Sequence, residues 1–218
     1  MSQKTLFIFA AVGLLLAFVV GTLFYTSEQV EQSTQLADSN SDALIRMHSP
    51  ALGKQDAPVV IVEFLDPACE TCKVFYPRVK ELMAEHPDQI RLVLRFTPFH
   101  TGSDKVVAVL EAARKQGKFW PTLEAVLNSQ AEWTEHHVAN VDLVWPHLEG
   151  LGLDIDQLKI DMNAPEVAAL IAQDLADANT LNVTKTPDFF VNGRPLPSFG
   201  FQQLTDLVDA ALHEAQRR

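Results

Sequence analysis

Apolar and polar positions divide this chain into unlike stretches. From Leu6 to Tyr25 no residue is charged, and Leu, Val, Phe and Ala dominate. At about 1.5 Å per residue such a helix spans a hydrocarbon core of roughly 30 Å, which predicts one transmembrane helix. Ser27 to Ser49 is polar, rich in Gln, Ser, Asp and Asn, and reads as a flexible or partly helical stalk outside the core. The organisation expected is a membrane anchor over 1–26, a polar linker over 27–50 and one folded domain over 51–218.

Within that domain, Pro58 to Leu65 is β-branched and apolar on both faces, as a buried central strand should be. Cys69 to Glu85 has Val74, Val79, Leu82 and Met83 at roughly helical spacing, with Pro77 inside predicting a kink. Ile90 to Phe96 is the next strand, so the segment forms a βαβ unit with a right-handed crossover. From Ser103 to about Asn182 the pattern turns helical. Segments are predicted from Ser103 or Asp104 to Gln116, Phe119 to Leu127, Val138 to Leu148, Ile155 to Met162 and Pro165 to Asn179. Asp188 to Val191 then reads as a strand, Asn192-Gly193 as its turn, and Phe201 to Ala215 as a closing amphipathic helix. The fold class is α/β: βαβ, a helical block, then ββα.

Charge places the domain and excludes partners. Lys4 precedes the apolar run and the next positive charge is Arg46, while Glu28, Glu31, Asp38 and Asp42 follow it. That asymmetry keeps the N-terminus in the cytoplasm and exports the rest. A cleaved signal peptide would have a shorter apolar region ending in a small-x-small site, and Gly21 to Ser27 offers only poor choices. The formal net charge is −11, and −12 beyond residue 25 once Lys4 is set aside, which argues against nucleic acid or an anionic surface as an electrostatic partner. No Gly-rich phosphate loop and no G-x-S-x-G occurs.

The chemistry rests on Cys69-Glu70-Thr71-Cys72, which holds both cysteines of the chain and directly follows the first long strand. Thiols spaced C-x-x-C at a helix start can close and reopen a small disulfide, and the helix N-terminus favours the first as thiolate. A structural disulfide over so short a loop stabilises little. Structural zinc needs four ligands, and His48, His86 and His100 lack the spacing. A Cu(I) site on the two thiolates is the alternative of a different class. Glu63, in the middle of an apolar strand, is costly unless paired or neutral; the other reading is a solvated, edge-facing carboxylate. Pro187 on its own reads as an ordinary trans proline opening a strand. His136-His137 reads as an exposed loop pair rather than a ligand set, and Trp120, Trp133 and Trp145 as packing residues of the helical block.

The C-x-x-C after the first long strand, with Thr186-Pro187-Asp188-Phe189-Phe190-Val191-Asn192-Gly193 about 115 residues downstream, resembles the DsbA family of thiol–disulfide oxidoreductases. The resemblance covers about Gln55 to Ala215. It implies a thioredoxin fold with an inserted helical domain over about 100–182, preceded here by the N-terminal transmembrane helix. It implies that Cys69 is an exposed nucleophile and that Cys72, more buried, resolves the mixed disulfide. Pro187 matches the family's cis-proline, so that Thr186 and Pro187 dock an extended substrate segment. Glu63, six residues before Cys69, matches a buried acid that relays the proton of the second thiol. DsbA carries Pro-His between its cysteines where this chain has Glu70-Thr71. The negative charge of Glu70 is expected to raise the Cys69 pKa and make the disulfide a weaker oxidant than that of DsbA. Thr186 before the proline looks more like reductase- or isomerase-type relatives.

The function expected is therefore an exported, membrane-tethered thiol–disulfide oxidoreductase acting on protein substrates, foremost in disulfide formation. It sits in the inner membrane with its catalytic domain on the periplasmic side. No cofactor or metal is expected beyond the redox-active Cys69–Cys72 pair. An oxidant would need a quinone-linked DsbB-like membrane partner, and a reductase or isomerase a DsbD-like donor. The non-catalytic alternative is a Cu(I)-binding metallochaperone.

Overall fold

The computed structural model describes residues 3–217. Helix α1 (Gln3–Ser39) is unbroken and is followed by the short α2 (Ser41–Leu44). Among the described residues α1 is one helix long and apolar enough to cross a membrane, by length and composition, over Val12–Ser39. The folded part then runs β1 (Ala51–Leu52), β2 (Val59–Leu65), α3 (Glu70–Glu85) and β3 (Ile90–Phe96). A helical block follows: α4 (Ser103–Lys115), α5 (Phe119–Asn128), α6 (Gln130–Trp133), α7 (Ile155–Asp161) and α8 (Pro165–Thr180). The chain closes with β6 (Asp188–Val191), β7 (Arg194–Pro195) and α9 (Phe201–Ala215).

The main sheet has the order β1-β3-β2-β6-β7. β2 lies parallel to β3, as the βαβ reading requires, and antiparallel to β6. Alternation along the strands builds two cores. Val59, Ile61 and Leu65 of β2 join Leu92, Leu94, Phe189 and Val191 on the face covered by α3 and α9. Val62, Phe64, Val93 and Phe190 form the other face. Each such side chain, fully buried, contributes on the order of 1.5–3 kcal/mol. Glu63 falls on the first face, opposite Leu94 and Phe189 in register.

Several elements differ from the sequence pattern. Val138 to Leu148, expected as one helix, opens with a small hairpin of β4 (Thr134–Glu135) and β5 (Val138–Ala139) and continues as two 3₁₀ turns, Val141–Leu143 and Trp145–Leu148. Its turn residues His136 and His137 both take positive φ, at 49° and 64°. Such two-residue turns ordinarily select Asn-Gly, which is why no signal marked this one. The Asn192-Gly193 turn does carry that signal, and it joins β6 to β7 with both residues at positive φ.

The stretch 27–50, read as a polar stalk outside the core, is helical to Ser39, and Ala37, Ala43 and Leu44 are buried on the second sheet face. A charge network fixes its end. Arg95 is fully buried, with Nη2 2.7 Å from Asp174 Oδ1 and 2.6 Å from Asp177 Oδ2, and it donates to the Ala43 carbonyl. Arg46 pairs with Asp177 at 2.7 Å, and His48 Nε2 lies 2.9 Å from Asp174. Burial pushes the Asp177 carboxyl up, but hydrogen bonds from Arg46 and Arg95 outweigh it and hold the group at about 2. A buried charge persists only when paired in this way.

Candidate active site

β2 delivers the chain into Asp66-Pro67-Ala68, and Cys69 stands in extended backbone as the residue that opens α3. Both cysteines are free thiols. They differ in surroundings: Cys69 keeps 7% of its accessible surface and Cys72 none. Cys69 was expected to be exposed. It is largely covered because the loop before β6 folds over it, placing the Thr186 carbonyl oxygen 3.3 Å from Cys69 Sγ. The Thr186–Pro187 peptide bond is cis. Two segments more than a hundred residues apart, each read from the sequence as a site element, thus meet at one sulfur.

The electrostatics separate the two thiols further. Cys69 is lowered from 9.0 to about 5, chiefly by a hydrogen bond from the Cys72 thiol. Burial opposes this, while the Thr186 side chain and the backbone N–H groups of Cys72 and Thr71 add to it. Those amides belong to the first turn of α3, where unpaired N–H groups favour an anion. Glu70, expected to raise the Cys69 pKa, is not among the leading causes of its shift, and the group moves the opposite way. Its side chain is exposed, so water screens its charge. Cys72 is pushed well above its ordinary value by burial, then by its hydrogen bond to Cys69 and by the charges of Cys69 and Glu63.

Glu63 is fully buried, and neither carboxyl oxygen has a hydrogen-bond partner. Burial first, and the Cys69 charge second, push it up to about 8. The solvated reading of this residue does not hold. At neutral pH it carries its proton, which is how an unpaired carboxyl is tolerated in an apolar core.

Asp66 and Gln130, two polar residues around the site, were not singled out in the sequence, whereas Phe99-His100 was read as a stretch that could line its rim. Asp66 is fully buried and accepts from the Ala68 amide at 2.9 Å, the His100 amide at 2.9 Å and the Ser103 hydroxyl. His100 Nδ1 lies 2.6 Å from the same carboxylate, and its ring stacks on His137 with centroids 5.4 Å apart. Gln130, buried in α6, donates to the carbonyls of Pro67 at 2.7 Å and Cys69 at 3.0 Å. Beneath α3, Phe75 stacks on Phe201 at 3.9 Å and contacts Phe199 at 4.8 Å and Phe189 at 5.5 Å. Only Asp66 had a usable signal, an acidic residue three positions before the first cysteine. Among the described residues no group of three or more His, Cys, Asp and Glu is placed to hold a metal ion.

A thioredoxin family model matches residues 46–210, most of the chain and both halves of this site. The chain belongs to the thioredoxin family. Within the family it is a DsbA-like thioredoxin-fold protein. A solved thioredoxin-like oxidoreductase from Silicibacter pomeroyi DSS-3 is 36% identical, with a TM-score of 0.69, over 80% of this chain and 98% of that one. A probable disulfide bond formation protein D of Bacillus anthracis is 28% identical over 97% of this chain and 98% of that protein. The Na(+)/H(+) antiporter NhaA of Herminiimonas arsenicoxydans is 28% identical over 93% of this chain. This thioredoxin-family chain spans only 33% of that antiporter's length, and 21% of a Salinispora tropica antiporter, so the likeness is to one segment of those proteins.

Proposed function

We propose that this thiol:disulfide oxidoreductase is an exported, membrane-tethered disulfide donor, working on protein substrates through Cys69 and Cys72. The observation that carries the reading is the asymmetry of the two thiols: Cys69 lowered to about 5 and Cys72 raised. A stabilised Cys69 thiolate favours the reduced enzyme, and a disulfide whose reduced form is stabilised is an oxidant.

In the forward reaction a substrate thiolate attacks Cys69 Sγ of the Cys69–Cys72 disulfide. A substrate–Cys69 disulfide forms, the Cys69–Cys72 bond breaks, and Cys72 leaves with the electron pair. Glu63, protonated below about 8, supplies the proton that Cys72 needs at its raised pKa. A second substrate thiolate then attacks the substrate sulfur, the substrate disulfide closes, and Cys69 leaves as thiolate. The Thr186–Pro187 segment, beside Cys69, offers backbone groups to an extended substrate strand. Two electrons now rest on the Cys69–Cys72 pair, and a DsbB-like membrane protein linked to quinone removes them. The apolar stretch of α1, with one basic residue, Lys4, before it and acidic ones after, supports an inner-membrane tether with the domain on the periplasmic side.

Trapping tests this against the metal-carrier reading. With Cys72→Ser in the full chain, mixed disulfides through Cys69 are expected to accumulate on exported proteins. Their absence, with stoichiometric Cu(I) held by the unaltered chain and lost in the variant, would favour the metallochaperone.

A further inference from the structure

The half of α1 beyond the apolar stretch does not project freely. Near its end, Ala37 is buried with Val62, Phe64 and Phe190, on the sheet face opposite Cys72. Nearer the apolar run, Thr26, Gln29, Val30 and Ser33 form one stripe along the helix and wall a cavity of about 260 Å³. The facing wall includes Thr184, Lys185, Asp188 and Phe199. Lys185 is the chain neighbour of Thr186, whose carbonyl lies against Cys69, and Phe199 packs on Phe75 of α3. Going from Ser39 back toward Thr26, α1 therefore runs over the sheet and leaves the domain at the end that carries Cys69.

From this path we infer that α1 turns the reactive end of the domain toward the bilayer, with the corner formed by Phe199 and Lys185 resting in the headgroup layer. The inference builds on the tethered reading above and adds the orientation. Thr26 directly follows the apolar run, and Ser33 lies only about 10 Å further along a helix. Headgroups occupy roughly 5–8 Å on each side of the hydrocarbon core, so the Thr26, Gln29 and Val30 part of the cavity wall lies at their level and Ser33 just beyond it. The corner has the chemistry of that layer. Phe199 is 46% exposed, and Lys185 Nζ sits 5.6 Å from its ring centroid. An aromatic ring beside a long cationic side chain is the combination that membrane interfaces favour. The strongly acidic domain has no electrostatic reason to approach a membrane unaided, so the orientation depends on the packed helix. A partner embedded in the bilayer then meets Cys69 without the domain turning over.

The test uses the full chain in vesicles of phosphatidylcholine and phosphatidylglycerol carrying a headgroup nitroxide quencher. Phe199→Trp reports the reactive end. Gln55→Trp, exposed before β2 at the opposite end of the sheet, is the control, and the parent chain supplies the background of its three tryptophans. Added fluorescence in F199W is expected to be quenched at least about twofold more than in Q55W. Equal quenching overturns the orientation. Ser198→Trp, exposed on the same loop, repeats the reading without disturbing Phe75. Inserting a flexible Gly-Ser segment after Thr26 is expected to abolish the difference, and its persistence would overturn the role of α1. Exchange with a soluble peptide disulfide is followed on the same samples. Exchange without quenching removes the orientation alone, whereas quenching without exchange removes the disulfide-donor reading and leaves the orientation.

Discussion

Cys69 and Glu63 both titrate away from their ordinary values, and in opposite senses. Cys69, lowered from 9.0 to about 5, holds fewer protons folded than unfolded between those values, so it adds stability that is lost as pH falls through about 5. Glu63, raised from 4.5 to about 8, holds more protons folded, so its contribution is full below 4.5 and lost as pH rises through about 8. In the reduced chain the slopes of these two groups oppose each other between pH 5 and 8. In the disulfide form the Cys69 slope is gone, while Glu63 stays raised by its burial, and Asp188, pushed up to about 6 by burial, adds a fall of its own below pH 6. Urea unfolding of the oxidised protein is therefore expected to show stability still falling with pH above 6, by up to ~1.4 kcal/mol per unit from Glu63. Glu63→Gln should lessen the fall above pH 6, and a parallel pH dependence there in the variant would contradict the buried acid. Alkylation of Cys69 gives the companion reading: its rate in the reduced chain should rise with a midpoint near pH 5. A midpoint near 9 would mean that the first turn of α3 and Thr186 do not stabilise the thiolate.

At the scale of elements, the site is a meeting of β2, the start of α3 and the loop before β6, and each was legible for a physical reason. β2 is apolar on both faces because it is central. The C-x-x-C follows it directly, and Asn192-Gly193 marks the hairpin that ends the downstream motif. What was not legible depends on contacts no local pattern encodes. Gln130 reaches Pro67 and Cys69 from a separate helix, and the β4–β5 hairpin is held in part by Ala139 donating to the Thr101 carbonyl. Ala37, Ala43 and Leu44 are isolated apolar residues in a polar stretch, and only the second sheet face gives them a partner. The Glu70 expectation failed because its exposed charge is screened by water while the buried partners of Cys69 are not. The network joining β3, α8 and residues 43–48 is also an element-scale feature. Asp174 accepts from Arg95 and from the Phe96 amide and faces His48, so Asp174→Ala leaves the buried guanidinium with Asp177 as its remaining carboxylate partner. That change is expected to cost about 3–5 kcal/mol in denaturant unfolding. A loss under about 1 kcal/mol would show that Asp177 alone satisfies Arg95.

For the whole molecule, helix, charge and redox chemistry point one way. An apolar helix leads into the domain, by the inference above at its reactive end, the domain carries net negative charge, and the chemistry rests on one thiol pair backed by a protonated carboxyl. On the proposed reading, such a molecule relies on its tether for position and on a membrane partner for turnover. Its central property is the stability of the reduced pair, which the lowered Cys69 sets. The most direct test is the reduction potential of Cys69–Cys72 in the full chain, read against a glutathione buffer series. A disulfide donor is expected to lie between about −120 and −180 mV, the range of DsbA and protein disulfide isomerase. A value of about −250 mV or lower, toward thioredoxin, would mean that the pair is held reduced, and would contradict the account.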